Sequence, residues 1–224
     1  MSGDGKAVSE IIALVTITLI GIALAGTAYM WGMPLISKRQ DTTQVERLYK
    51  YFDRENSNSI VRKIEFVAKN GGQETFASDI DGIWMLHESS EASPNANSIE
   101  FTTYSKVSNI AISTPTNDIG WVALTPGGSC PPQSGIVGLD PSYVVCAKAG
   151  SIADGFNITY RIWFRDLYES TATKGYRIDV TRYAGGPLSS TGKNVRISQG
   201  TVSTCPAQQC GKTLITTEIK ILLS

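Results

Sequence analysis

The sequence predicts an α+β protein: a long N-terminal hydrophobic α-helix followed by an antiparallel β-sandwich. Three observations carry this. From Ile11 to Ile36 there are 26 residues without a charged side chain. Beyond Ile60 the apolar period changes to two, the period of a half-buried strand. The segments with that period are separated by clusters of Gly, Pro, Asn and Ser, and no helical period interrupts them. A length of 224 residues allows one ordinary domain and one additional element.

The N-terminal helix comes first. At about 1.5 Å per residue, the charge-free run spans roughly 39 Å, more than the ~30 Å hydrocarbon core of a bilayer. It is too long for the 7–15-residue core of a cleaved export signal. It ends in Tyr29, Met30, Trp31, Gly32, Met33 and Pro34, which is no small-residue cleavage site. Tyr29 and Trp31 resemble interfacial aromatics. The helical pattern continues past Ser37: Val45, Leu48, Tyr49 and Phe52 fall at i, i+3, i+4 and i+7, and Glu46 and Lys50 form an i,i+4 acid–base pair. One helix is therefore expected from about Val8 to about Asp53, roughly 65–70 Å at ~1.5 Å per residue. Pro34 is expected to kink or interrupt it, because proline lacks an N–H and its ring clashes with the preceding turn. The β-branched residues Val15, Thr16, Ile17, Thr18, Ile20 and Ile22 weaken a helix in water. In lipid or a dry bundle the backbone must satisfy itself, and that requirement wins.

The run Asn56-Ser57-Asn58-Ser59 ends the helix and marks the boundary of the second region. The expected organisation is 1–7 as a leader, 8–56 as the helix and 57–224 as an Ig-like sandwich. Expected strands are Val61–Lys69, Gln73–Phe76, Gly82–Glu88, Ser98–Tyr104, Gly120–Leu124, Ser142–Lys148, Asn157–Asp166, Tyr176–Tyr183, Asn194–Ser198 and Leu214–Leu223. Asn70-Gly71-Gly72 reads as a tight turn between the first two. Ser89–Asn97 and Thr125–Ser134 read as surface loops. KTLITTEIKILLS, at the C-terminus, fits an edge or a central strand equally.

Lys+Arg and Asp+Glu are both 20, so no net field draws nucleic acid or acidic substrates. The four cysteines, Cys130, Cys146, Cys205 and Cys210, lie in the C-terminal half and allow three pairings. The sequence-local pairing, Cys130–Cys146 with Cys205–Cys210, is the one adopted. A four-thiolate zinc site fits poorly, since the spacings are C-x15-C and C-x4-C rather than paired C-x2-C. Two disulfides imply an oxidising, extracytoplasmic setting. Lys6 before the run, against Lys38 and Arg39 after it, slightly favours the opposite orientation. The cysteines decide in favour of an external C-terminal region. Asn157-Ile158-Thr159 is an N-glycosylation triplet, and it makes Asn157 a candidate acceptor.

Little of this resembles catalytic chemistry. His87 is the single histidine and ends a strand pattern, so a triad or a two-histidine metal site is hard to build. CPAQQCGKT (205–213) resembles a phosphate-binding loop, but Pro206 stands where that loop needs its first glycine. A disulfide-closed turn before the last strand is the better reading. Tyr160, Trp163, Phe164, Tyr168, Tyr176 and Tyr183, interleaved with Arg161, Arg165, Arg177 and Arg182, could form a single-strand nucleic-acid platform. With zero net charge, core packing with rim charges is preferred. The acid pairs Asp79/Asp81 and Asp166/Glu169 show no spacing that singles out a hydrolase. No enzyme, cofactor or metal is indicated, and no nucleic-acid partner.

The most distinctive stretch is GKAVSEIIALVTITLIGIALAGTAYMW. A short polar leader, Lys6-Ala7, then Val8-Ser9-Glu10 and an unbroken apolar helix together resemble the class III signal of archaeal type IV pilin-like proteins, the archaeal pilin and archaellin superfamily. The resemblance covers about the first 45–50 residues. It implies cleavage by a prepilin peptidase on the cytoplasmic side after Ala7, leaving Val8 as the new terminus, with cleavage after Gly5 as the runner-up. It implies a homopolymer held by the helix, with an assembly ATPase and a membrane platform protein as biogenesis partners. The cytoplasmic membrane is the location before assembly and an extracellular filament is the location after it. Glu10, within one turn of the new α-amino group, is expected to pair with a terminus and fix subunit register. Gly21, Ala25, Ala28 and Gly32 are expected to allow close helix approach, with Pro34 at the end of this core segment. Adhesive pilus, motility filament, minor pilin and non-polymerising anchored ectodomain are the readings that share these features.

Overall fold

The structure, a computed structural model, describes residues 4–110, 112–113, 120–171 and 173–224, with backbone alone at 4–11 and 112–113. The chain divides into two compact units, Met1–Thr43 and Gln44–Ser224.

Helix α1 (Asp4–Phe52) is continuous through Pro34, so of the expected kink or interruption the interruption does not occur. Among the described residues, the first unit consists of this helix. The three threonines of its apolar part, at 16, 18 and 27, donate their hydroxyls to the carbonyls of Ile12, Leu14 and Ala23, each at 2.8 Å. Those three hydroxyls are thereby satisfied within the helix itself. The last turns of α1 belong to the second unit, so the compact boundary lies upstream of the expected change of composition at residues 56–57. Val45, Leu48 and Phe52 are buried there, while Tyr49, at the edge of the expected stripe, is 41% exposed. Phe52 stacks on Tyr160 with ring centroids 4.8 Å apart.

The expected strand Val61–Lys69 is instead helix α2 (Ile60–Asn70). Ile64, Phe66 and Ala68 do alternate, but Ile60, Val61, Ile64 and Val67 follow a helical spacing. Those four are the buried residues, whereas Phe66 is 54% exposed. Ser59 is the N-cap and its hydroxyl accepts from the Arg62 N–H at 3.2 Å. Asn70-Gly71-Gly72 is therefore a helix terminus and not a hairpin turn. Gly71 adopts φ +77°, open to glycine without penalty, and its N–H returns to the Val67 carbonyl.

The remaining elements form two sheets. In chain order they are β1 (Gln73–Ala77), β2 (Ile83–His87), β3 (Ser98–Ser105), β4 (Ile112–Ser113), β5 (Val122–Ala123), β6 (Gly135–Ile136) and β7 (Tyr143–Ile152). Then follow β8 (Gly155–Phe164), β9 (Leu167–Tyr168), β10 (Lys174–Arg182), β11 (Ser189–Ser190), β12 (Asn194–Cys205), a single helical turn α3 (Ala207–Cys210) and β13 (Thr213–Leu223). One sheet has the order β1-β12-β13-β10-β9-β6, the other β11-β2-β3-β8-β7-β4, with β5 also on β7. The domain is thus sandwich-like with two antiparallel-rich sheets. Three pairs depart from the antiparallel pattern: β10 with β13, β4 with β7 and β6 with β9 run parallel. The C-terminal strand is central, inserted between β12 and β10.

Both sheets turn apolar faces inward around Trp84, Phe101, Ile162, Val180, Val195 and Ile221, all fully buried. Asn97 ties the sheets together. It sits at φ 58°, donates from Nδ2 to the Ile178 carbonyl at 2.8 Å, and accepts the Val180 N–H at 2.9 Å.

Candidate functional site, an uncovered apolar helix on a disulfide-tied head

Within the first unit, the apolar side chains from Ile12 onward point outward on every side. Leu14, Ile17, Leu24 and Trp31 are between 66% and 78% exposed. A helix apolar all round is at equilibrium only where water is absent, in lipid or among other helices. Its length and composition suit membrane association or a signal sequence. Gly21 and Gly32 have nothing within 4 Å of where a Cβ would stand, so both leave open backbone on the helix surface. Ala25, Ala28 and Pro34 are exposed on the same helix. Ala7, Val8 and Glu10 lie inside α1, but their side chains lie outside the described residues.

In the second unit both expected disulfides are present, Cys130–Cys146 with Cα atoms 6.2 Å apart and Cys205–Cys210 at 6.1 Å. The two differ in surroundings. Cys146 is fully buried on the outer face of β7, beside a small second core of Val144, Trp163 and Trp121. The Arg161 guanidinium lies 4.6 Å from both the Trp121 and the Trp163 ring centroids. It is ion-paired with Glu100, and the Asn95 side-chain oxygen accepts from it. The disulfide pins the 120–130 segment over this cluster, and the Leu124 N–H to Val145 carbonyl bond adds to the hold. Cys205–Cys210, by contrast, closes an exposed turn. That turn is the CPAQQCGKT segment, with Lys212 Nζ 3.9 Å from the Tyr168 ring centroid.

The aromatic–arginine segment divides along the same lines. Tyr160, Trp163 and Phe164 are buried. Arg165 reaches Asp140, Arg177 reaches Asp166 and Asp179, and Arg182 reaches Glu88. With Arg161 on Glu100, all four guanidinium groups are engaged by carboxylates of the same chain. Tyr160 and Tyr143 are buried with unpartnered hydroxyls, and burial holds both phenols well above their ordinary range.

His87 ends β2, with Nδ1 3.4 Å from Glu91 and Nε2 3.9 Å from Glu100. Among the described residues no group of three His, Cys, Asp or Glu side chains is placed to hold a metal ion. Asn157 is exposed, the third residue of β8 rather than part of a loop, and the Thr159 hydroxyl of its triplet meets that of Thr102 at 3.0 Å.

The chain is of a definite structural class: an apolar N-terminal helix joined to a disulfide-bonded, sandwich-like α+β head. No protein-family model matches it, and no curated protein or solved structure matches it.

Proposed function

We propose that this protein is the major structural subunit, a pilin, of an archaeal type IV-like pilus, an extracellular adhesive filament that polymerises through the N-terminal helix. The observation that carries the reading is the charge-free, outward-facing apolar helix that directly follows the Lys6-Ala7-Val8-Ser9-Glu10 junction. The role is structural and no catalysis is assigned to it.

The mechanism is an exchange of solvents. Before assembly the helix is solvated by acyl chains, with the head outside. After cleavage past Ala7 and extrusion, the same surface must again avoid water, and other copies of the helix cover it. At about 25 cal/mol per Å², several hundred Å² per helix gives on the order of 10 kcal/mol. A buried Glu10 carboxylate alone would cost a few kcal/mol. A neighbour's α-amino group offsets that cost and sets the register. Contacts that do not close on themselves then generate a helical polymer with the heads as its coat. The exposed Asn157 is compatible with glycan on that coat. An archaellin, or a membrane-anchored ectodomain that does not polymerise, is the alternative.

N-terminal sequencing of surface material, with electron microscopy of sheared cells, tests this. Val8 as first residue in fibres composed of this chain is the expected result. An intact Met1, a terminus beyond residue 30, or fibres lacking the polypeptide would overturn it. Glu10→Leu is expected to insert normally and assemble poorly.

A further inference from the structure

The head carries an open cleft of about 970 Å³ between α2 and the strands β10 and β13. Part of its lining is apolar and aromatic: Phe66, 54% exposed, Tyr176, 38% exposed, and Ile215. The charged side chains of the cleft are unevenly partnered. Lys63 is taken by Glu74 at 2.9 Å, and Arg177 by Asp179 at 3.1 Å. Arg54, Arg62 and Lys69 also line the cleft and make no ion pair among the described residues. Against them stands Glu65, whose carboxyl is raised above its ordinary value by burial, with Arg54 and Arg62 opposing. On a chain with no net charge, this is a local cationic pocket with an apolar body.

The same chain presents a shape with the opposite chemistry. The β7–β8 hairpin ends in Ile152-Ala153-Asp154-Gly155. Ile152 is 42% exposed and Asp154 is exposed without an ion pair among the described residues. The backbone of the tip is tied to Tyr104. The Tyr104 hydroxyl donates to the Asp154 carbonyl at 2.9 Å, and a Cβ at Gly155 would stand 2.9 Å from the Tyr104 ring. A pinned backbone loses little freedom on docking. The two features lie at opposite ends of one hairpin. Ser142, just before β7, lines the cleft, and Ile152 ends the strand ten residues later. At ~3.3 Å per residue that is about 30 Å.

We infer that the Ile152–Asp154 hairpin tip of one copy docks in the α2/β10/β13 cleft of the next, with Asp154 toward Arg54, Arg62 and Lys69 and Ile152 on the Phe66–Tyr176 wall. The inference rests on the filament reading and specifies the contact between heads within it. A knob at one pole and its socket at the other make a heterologous contact, the kind that propagates instead of closing a dimer. Complementary charge fixes which surface meets which.

Charge reversal in the full-length chain, scored by filament yield at equal membrane abundance and with both disulfides intact, tests it. Asp154→Lys and Arg62→Glu are each expected to lose filaments, and the two together to regain them. Carbodiimide treatment of wild-type filaments is expected to join Asp154 of one copy to Lys69 of another, a link that Lys69→Arg abolishes. Normal filaments from both single variants, or paired defects without mutual rescue, would overturn the docking and leave the pilin reading standing. Absence of filaments from the wild-type chain would overturn both.

Discussion

Helix α1 contains two leucines that differ in everything except chemistry. Leu24 is 66% exposed, and Leu48, 24 residues later on the same helix, is fully buried. The turns around Leu48 are covered by their own chain, through Phe52 on Tyr160 and Trp84. The turns around Leu24 have exposed side chains, Ile20 at 54% and Ile22 at 64% among them. A helix of one continuous backbone therefore has two environments: its end is part of a domain core, and the apolar side chains of the turns before it are exposed. Sequence hydrophobicity alone is higher where burial is absent, so it is the wrong measure of what stabilises the head.

The largest expected effect sharpens this contrast directly. Leu48→Ala should lower the unfolding free energy of the head by about 2–5 kcal/mol, because transfer and cavity costs add in a packed core. Leu24→Ala should change it by less than about 0.5 kcal/mol, as at an exposed site. Denaturant unfolding in mild detergent reads both. Equal losses would break the comparison by showing that the N-terminal turns pack on the same chain's head.

A second contrast sets the two disulfides against each other. Opening Cys130–Cys146, with a sequence separation of 16, should cost about 3 kcal/mol by the chain-entropy relation. The loss includes the hold on Trp121 over Arg161, so tryptophan fluorescence should shift with it. Opening Cys205–Cys210, with a separation of 5, should cost about 2 kcal/mol by the same relation. The fluorescence should stay unchanged, because that turn touches no tryptophan cluster. Serine pairs at each site, melted with both probes, would separate them.

The smallest effect concerns the cleft. Burial raises the folded-state pKa of Glu65 above its ordinary value of 4.5, against Arg54 and Arg62. The folded state then holds its proton more tightly than the unfolded chain does. The group costs nothing below the unfolded value, and it lowers stability as pH rises through the window between the two values and beyond. Glu65→Gln should therefore stabilise the head slightly at neutral pH and leave it unchanged in acid. A pH series of melting temperatures checks the sign; a gain confined to acid would refute it.

The two ends of the molecule were unequally legible. Uninterrupted apolar composition makes the N-terminal helix readable from residues 11–36 alone, since no tertiary contact is needed to force a helix where water is excluded. The longer strands, β1 to β3, β7, β8, β10, β12 and β13, were legible too, because alternation is a local property, whereas the two-residue strands β4, β6, β9 and β11 are too short to show any period. α2 was misread because Ile60–Asn70 satisfies period two at Ile64, Phe66 and Ala68 and a helical period at Ile60, Val61, Ile64 and Val67. The deciding feature is Ser59 as an N-cap, a residue that equally suits the run Asn56–Ser59 as the end of the preceding helix. The Arg161–Trp121–Trp163 cluster and the cleft were not readable at all. Each joins residues tens of positions apart, and no spacing rule links them.

The sequence by itself determined the membrane-competent helix and the positions of the longer strands. Both follow from side-chain polarity and period within short windows. Only the tertiary structure decided the rest: that β13 lies parallel to β10 at the centre of its sheet, that Asn97 bridges to Ile178 across 81 residues, and that the last turns of α1 belong to the head. Those outcomes depend on which distant surfaces bury the most apolar area together while leaving fewest polar groups unpaired. That competition is settled over the whole chain at once.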